Sequence, residues 1–145
     1  MRLLYLLLTI FTSLALAVNL CHGDKSIPGH CTILSMHDTT SNSTKSTVPQ
    51  CEDTCWYISM DPGEWVVDFT GQSAEYVDKL SQGKCNFFIS RGEGEPLDYK
   101  FYMENQDIFD IIDEVNLKFG GLHGGKVAGE GTMMCDGHLA KWHVS

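Results

Sequence analysis

Apolar and polar positions change rhythm several times along the 145 residues. Leu3 to Leu16 is almost wholly apolar behind a basic Met1-Arg2 start, and Ala15-Leu16-Ala17 offers a small-x-small cleavage site. These are the three parts of a secretory signal peptide, so cleavage after Ala17 is expected. The apolar run falls short of the about 20 residues that a bilayer span needs. No second such run follows, so stable membrane insertion is not expected. From residue 18 to residue 49 the chain turns polar. Asp38 to Pro49 in particular is rich in Ser and Thr, which predicts a loop or linker within an N-terminal arm. Asn42-Ser43-Thr44 in this arm is an N-glycosylation sequon.

Regular periodicity begins near residue 50. Cys51, Cys55 and Ile58 fall at i, i+4 and i+7, one face of a short helix. Glu52 and Asp53 would sit in its first turn, where the helix dipole favours acids, and Asp61-Pro62-Gly63 should stop it. Glu64 to Phe69 alternates and reads as a strand. A Gln82-Gly83 turn leads into a second strand at Cys85 to Ser90, and Tyr99 to Met103 forms a third. The Gly-rich stretch Arg91 to Pro96 between the last two predicts a hairpin-like loop.

The strongest helical signal runs from Gln106 to Lys118, with Asn105 as its expected N-cap. Ile108, Ile111, Ile112, Val115 and Phe119 make one apolar stripe. Lys118 suits the last turn, and Gly120-Gly121 ends it. Lys126 to Cys135 and Leu139 to Val144 then flank Asp136-Gly137, a strong hairpin-turn pair. The predicted fold class is α+β: two helices packed on one face of a mostly antiparallel sheet. The expected organisation is a signal peptide over 1–17, an arm over 18–49 and one domain over 50–145.

Composition sharpens the address. Ten basic residues face 19 acidic ones, a net charge of −9. Loss of Arg2 with the signal leaves nine basic residues and a net charge of −10. This balance argues against nucleic acid as a partner, which needs basic patches. Six cysteines survive cleavage: Cys21, Cys31, Cys51, Cys55, Cys85 and Cys135. An even count in a short exported chain predicts a disulfide framework, with fifteen pairings open. Zinc would need paired ligands at close spacing, and Cys51-x-x-x-Cys55 has no second such pair.

Candidate chemistry is sparse. The sequence has no Gly-x-Ser-x-Gly and no His-Glu-x-x-His. Asp107, Asp110, Asp113 and Glu114 cluster on the second helix, where they are expected to form the solvated side opposite the apolar stripe. His123, His138 and His143 gather near the chain's end and read as surface histidines. Trp56, Tyr57, Trp65, Phe87, Phe88, Tyr99, Phe101, Tyr102 and Trp142 divide between core and a possible binding platform. No cofactor, metal or catalytic residue is expected.

One block of the chain carries a resemblance. Asn105-Gln106-Asp107-Ile108-Phe109-Asp110-Ile111-Ile112 is followed by Lys118-Phe119-Gly120 and then by Gly125 to Cys135, with Gly129 and Gly131 spacing that strand. Upstream lie Gly83-Lys84-Cys85-Asn86-Phe87 and Cys51 before Trp65. Together, over about residues 50–142, these resemble the domain found in homologues of the second fungal extracellular protein effector, an Ecp-type necrosis-inducing factor of plant-pathogenic fungi. The resemblance implies Cys51, Cys85 and Cys135 as staples and the Ile108–Phe119 stripe as core. It also implies a secreted, non-enzymatic effector that binds a host protein or cell-wall component, in the host apoplast. Two further readings follow from it and from the aromatic content: an antimicrobial, killer-toxin-like protein, and a carbohydrate-binding or cell-wall-acting module.

Overall fold

The computed structural model describes residues 18–61, 63–81 and 83–145. The expected signal segment 1–17, Pro62 of the first helix stop and Gln82 of the Gln82-Gly83 turn lie outside the described residues. Nine elements follow one another: β1 (Cys31–Asp38), α1 (Val48–Ser59), β2 (Glu64–Asp68), β3 (Val77–Lys79), β4 (Phe87–Arg91), β5 (Lys100–Glu104), α2 (Asn105–Phe119), β6 (Gly129–Cys135) and β7 (His138–Val144). They form an antiparallel five-stranded sheet in the order β1-β6-β7-β4-β3 and a separate β2-β5 pair. The expected α+β class, with two helices and a mostly antiparallel sheet stapled by disulfides, is what the chain adopts.

The apolar stripe organises the core. Ile108, Ile111, Ile112 and Val115 of α2 are fully buried. Four such side chains contribute up to about 8 kcal/mol at roughly 2 kcal/mol each. Lys118 in the last turn adds only about 0.5 kcal/mol through the dipole, so burial decides where the helix lies. The helix starts one residue before the expected span, and its N-cap is Glu104 rather than Asn105. Asp107 accepts the Glu104 backbone N–H at 2.8 Å. Asn105 instead ties α2 to the chain before it. Its Oδ1 accepts Trp65 Nε1–H at 2.5 Å, and its amide donates to the Ile58 and Asp61 carbonyls at 3.1 Å.

Helix α1 also starts early, behind Thr47, whose N–H donates to Gln50 Oε1 at 3.2 Å. Glu52 and Asp53 therefore miss the first turn and do not serve the dipole. Its buried face is Cys51, Thr54, Cys55 and Ile58. Two of these carry bridges, Cys21–Cys55 and Cys51–Cys85, while Cys31–Cys135 ties β1 to β6.

Two further features depart from the sequence pattern, and one bears it out. Residues 31–38 form strand β1 beside β6, at one edge of the large sheet, where a polar arm was expected. A register shift between Ile33 and Ser35 leaves Leu34 exposed and breaks the alternation that would have marked the strand. The stretch Arg91 to Pro96 is not a hairpin, because β4 and β5 belong to different sheets. Arg91 turns inward there, and its guanidinium donates to the carbonyls of Phe69, Gln72, Ser73 and Leu97. Finally, β6–β7 is the expected hairpin, with Asp136 at φ 50° and Gly137 at φ 84°, the left-handed pair of a two-residue turn.

Candidate functional site

The α2 carboxylates are a solvated face only in part, at Asp110 and Glu114, each 44% exposed. Asp107 and Asp113 are buried. Asp107 accepts the backbone N–H groups of His30 and Cys31, each at 3.0 Å. Asp113 accepts the Asn19 side-chain amide at 2.7 Å, and Lys25 Nζ lies 2.6 Å from Asp110. Gln106 completes the seam by accepting the Asp24 N–H and donating to the His22 carbonyl. The polar N-terminal segment and the acidic helix face thus satisfy each other, and Cys21–Cys55 pins the segment in place. These residues build the scaffold rather than a site.

The remaining candidates scatter. Asn42 is exposed in a turn. His123 pairs with Asp38 at 2.7 Å. His138 pairs with Glu95 at 3.0 Å and stacks on Tyr99. Of the aromatics, Phe87, Phe101, Trp142 and Tyr99 are buried, whereas Trp56 and Tyr57 stand exposed on α1 as an edge-to-face pair. Gly131 serves packing: a Cβ there would lie 2.6 Å from the Trp142 ring and 2.0 Å from the Ser35 carbonyl oxygen. Gly129 is packed by Val115 and Phe119 of α2 in the same way, and Gly120 by Val48.

One concavity was not signalled by any motif. It is a groove of about 700 Å³ across the large sheet, on the face turned away from the core. Alternation along each strand sends Gly129, Gly131, Met133, Ala140, Trp142, Phe87 and Ile89 inward, and leaves the intervening positions to line the groove. Strand register aligns those positions in two rows. One runs His37, Glu130, His143, Phe88, Lys79, and the other Ser35, Thr132, Lys141, Ser90, Val77. Each row crosses all five strands.

The groove's chemistry follows from its neighbours. His143 is half-buried and leans on Phe88, with ring centroids 5.8 Å apart. Burial pushes the His143 imidazole below its ordinary pKa, and the Glu130 charge only partly restores it. Its neutral form is thereby favoured near pH 7, as donor and acceptor. Just outside the lining, on the edge strand β3, Lys79 Nζ stands 5.6 Å from the Phe88 ring centroid. Ser35 and Thr132 hydroxyls hydrogen-bond to each other at 2.8 Å, and the Thr132 N–H donates to Ser35 Oγ. Neither hydroxyl contacts a base, so neither is arranged as an activated nucleophile. An apolar ring flanked by hydroxyls, imidazoles and the Lys141 ammonium suits reversible recognition of a polar ligand. Among the described residues, one constellation has the spacing of metal ligands, His30, Glu64 and Glu104, and it shares no member with the groove.

The model of the family Hce2, described as "Pathogen effector; putative necrosis-inducing factor", matches residues 30–135. The match opens just before β1 and closes at the last cysteine, so it spans the first strand, which lies outside the local resemblance. No curated protein matches the chain.

Proposed function

Since the chain belongs to the Hce2 family of pathogen effectors, we propose that it is a secreted, non-enzymatic effector that acts on host tissue by binding an extracellular host component in the sheet groove. The observation that carries this reading is the groove itself. It is a large polar-and-aromatic concavity lined by residues of five strands, most of them outside the buried core. The partner is a host protein or cell-wall polymer presenting hydroxyl and acidic groups, the complement of Lys141 and the histidines.

Three further features support an extracellular site of action. The sequence opens with a signal-peptide pattern, six cysteines close three bridges, and Asn42 offers an exposed glycan acceptor. No helix among the described residues is long and apolar enough to cross a membrane.

Leaf infiltration tests the proposal. Purified protein should provoke necrosis or a defence response. Lys141→Glu and Phe88→Ala should abolish that response while keeping the native circular dichroism and melting temperature. Leu117→Ser, on the exposed side of α2, should leave it intact. Full activity in both groove variants would dismiss the groove as the contact surface. A protein inert on every host genotype but inhibitory to competing microbes would move the reading to a killer-toxin-like role.

A further inference from the structure

Strands β2 and β5 pair so that Glu64 lies directly opposite Glu104. Like charges at opposed positions of an antiparallel pair are destabilising unless something answers them. The answer comes from the residue just before β1. His30 Nε2 lies 3.1 Å from Glu64 Oε1 and 3.8 Å from Glu104 Oε1. The three potential ligand atoms all fall within 4.8 Å of one another. A tetrahedral zinc ion, with ligands at about 2.1 Å, holds neighbouring donor atoms about 3.4 Å apart. Small side-chain rotations therefore close these three donors around an ion.

The imidazole is oriented for that purpose. Its Nδ1 lies 3.0 Å from Asp136 Oδ1. A proton on Nδ1 donates to this carboxylate and leaves the Nε2 lone pair facing the two glutamates. A carboxylate bound to the far nitrogen of a ligating histidine is the usual outer support of a metal site. Asp136 is held in turn, since its other oxygen accepts the Tyr102 N–H at 3.1 Å. The His30 backbone is fixed as well, through its N–H bond to Asp107. Cys31 and Cys135, the residues next to His30 and Asp136, are bridged. The cluster is thus positioned by β1, β2, β5, α2 and the β6–β7 turn at once, and its side chains remain 31–45% exposed.

We propose that His30, Glu64 and Glu104 form a binding site for a divalent transition-metal ion, with Asp136 as the carboxylate that orients His30. One imidazole and two carboxylates suit Zn²⁺ or Cu²⁺ better than Ca²⁺ or Mg²⁺, which prefer all-oxygen sets. Three protein ligands leave further positions for water or for a partner's side chain. Electrostatics favour occupation: with the imidazole neutral, three carboxylates surround the site and no Lys or Arg pairs with them among the described residues.

The test is calorimetric titration of the untagged, chelator-treated secreted protein with ZnCl₂ at pH 7.5, repeated with CaCl₂. One zinc per chain with micromolar or tighter affinity is expected, at least tenfold tighter than calcium, with a zinc-dependent rise in melting temperature. Glu64→Gln, a half-exposed position, should weaken zinc at least tenfold without loss of fold. Asp136→Asn should weaken it about 10–100-fold. His30→Ala should abolish the thermal shift, whereas His22→Ala should change nothing. Cobalt substitution gives a visible d–d band that must disappear in His30→Ala. No binding below millimolar zinc, or an affinity that survives both Glu64→Gln and His30→Ala, would overturn the site. Because none of these readouts involves host tissue, their failure stays separate from that of the groove.

Discussion

Removing the Cys31–Cys135 bridge tests whether the fold relies on its staples through the unfolded chain. The two residues are register partners at one end of the β1–β6 pair, 104 residues apart in sequence. Closing a loop of that size restricts the unfolded chain by about 4.7 kcal/mol in the chain-entropy treatment. The other two bridges shorten the effective loop, because a path runs back from 31 to 21, across to 55, on to 51, across to 85 and then to 135. That path is about 65 residues long and lowers the expected contribution to about 4.3 kcal/mol. Cys135 is fully buried, so its replacement by Ala also removes a sulfur from packing, at a cost of about 1 kcal/mol. The Cys31→Ala/Cys135→Ala protein should therefore lose about 4–6 kcal/mol in urea unfolding. Its m value should rise, since a less restricted unfolded chain exposes more surface. A loss under about 2 kcal/mol with an unchanged m value would refute the reasoning, showing that the β1–β6 ladder alone fixes these ends.

Other perturbations probe different parts of the fold. Arg91→Met keeps the bulk but removes the four donations to the 69–73 and Leu97 carbonyls. It should cost about 3–5 kcal/mol in urea unfolding; a loss under about 1 kcal/mol would mean that those carbonyls find water instead. Gly131→Ala should fail to fold, or lose at least about 3 kcal/mol, because the obstructing Ser35 oxygen is backbone. Gly121→Ala, with nothing within 4 Å, should be neutral in the same urea unfolding. Glu95 sits below the ordinary carboxylate pKa, held there first by the Leu139 N–H and then by His138, with Tyr99 also nearby. A depressed carboxylate stabilises above its ordinary pKa, and this is lost as pH falls through the lower folded value. Glu95→Gln should thus cost about 1 kcal/mol at pH 7 and progressively less from the ordinary value of 4.5 downward, read by urea midpoints from pH 3 to pH 7. A penalty that stayed constant across that range would exclude the ionised carboxylate as its source.

The parts of this fold that could be read from sequence are those where one residue type repeats on one face. The α2 stripe, the Asp136-Gly137 hairpin and the alternation of β2 and β4 are of this kind. Strand β1 escaped because the bulge at Leu34 shifts the apolar phase from Ile33 to Met36. Strand β3 is three residues long, too short to carry a period. The acidic face of α2 was misread because polar burial leaves no periodic mark: Asp107 and Asp113 look solvated until residues 19–31 are seen lying across them. Glu104 took the capping position from Asn105 because Asn105 is spent on Trp65 and the end of α1, a contact 40 residues away in sequence. The groove was illegible for a related reason. Each strand contributes one or two polar outward residues, ordinary on any half-exposed strand, and only the register brings them into rows. The sequence block that carried the family resemblance, from Asn105 to Cys135, describes the scaffold behind the groove far more than the groove itself.

That division between the two faces has a consequence for how such a protein can act. Both helices, all three bridges and the buried seam with the N-terminal segment hold the molecule from behind or along its edges. The groove side chains contribute little to this, because exposed or half-exposed positions away from special contacts shift stability by only about 0.5 kcal/mol when changed. The groove face is therefore nearly uncoupled from folding: Lys141, Phe88, His37 or Val77 can be exchanged while Trp142 still closes over Gly131 beneath them. A binding protein whose target is a moving one gains from this arrangement, since recognition can be rebuilt without reopening the core. The His30 cluster is the exception. It joins five elements through one imidazole, so changes there couple recognition of an ion to the geometry of the β2–β5 pair and the β6–β7 turn. Variation at the groove and constancy at His30, Glu64, Glu104 and Asp136 is the pattern this architecture favours.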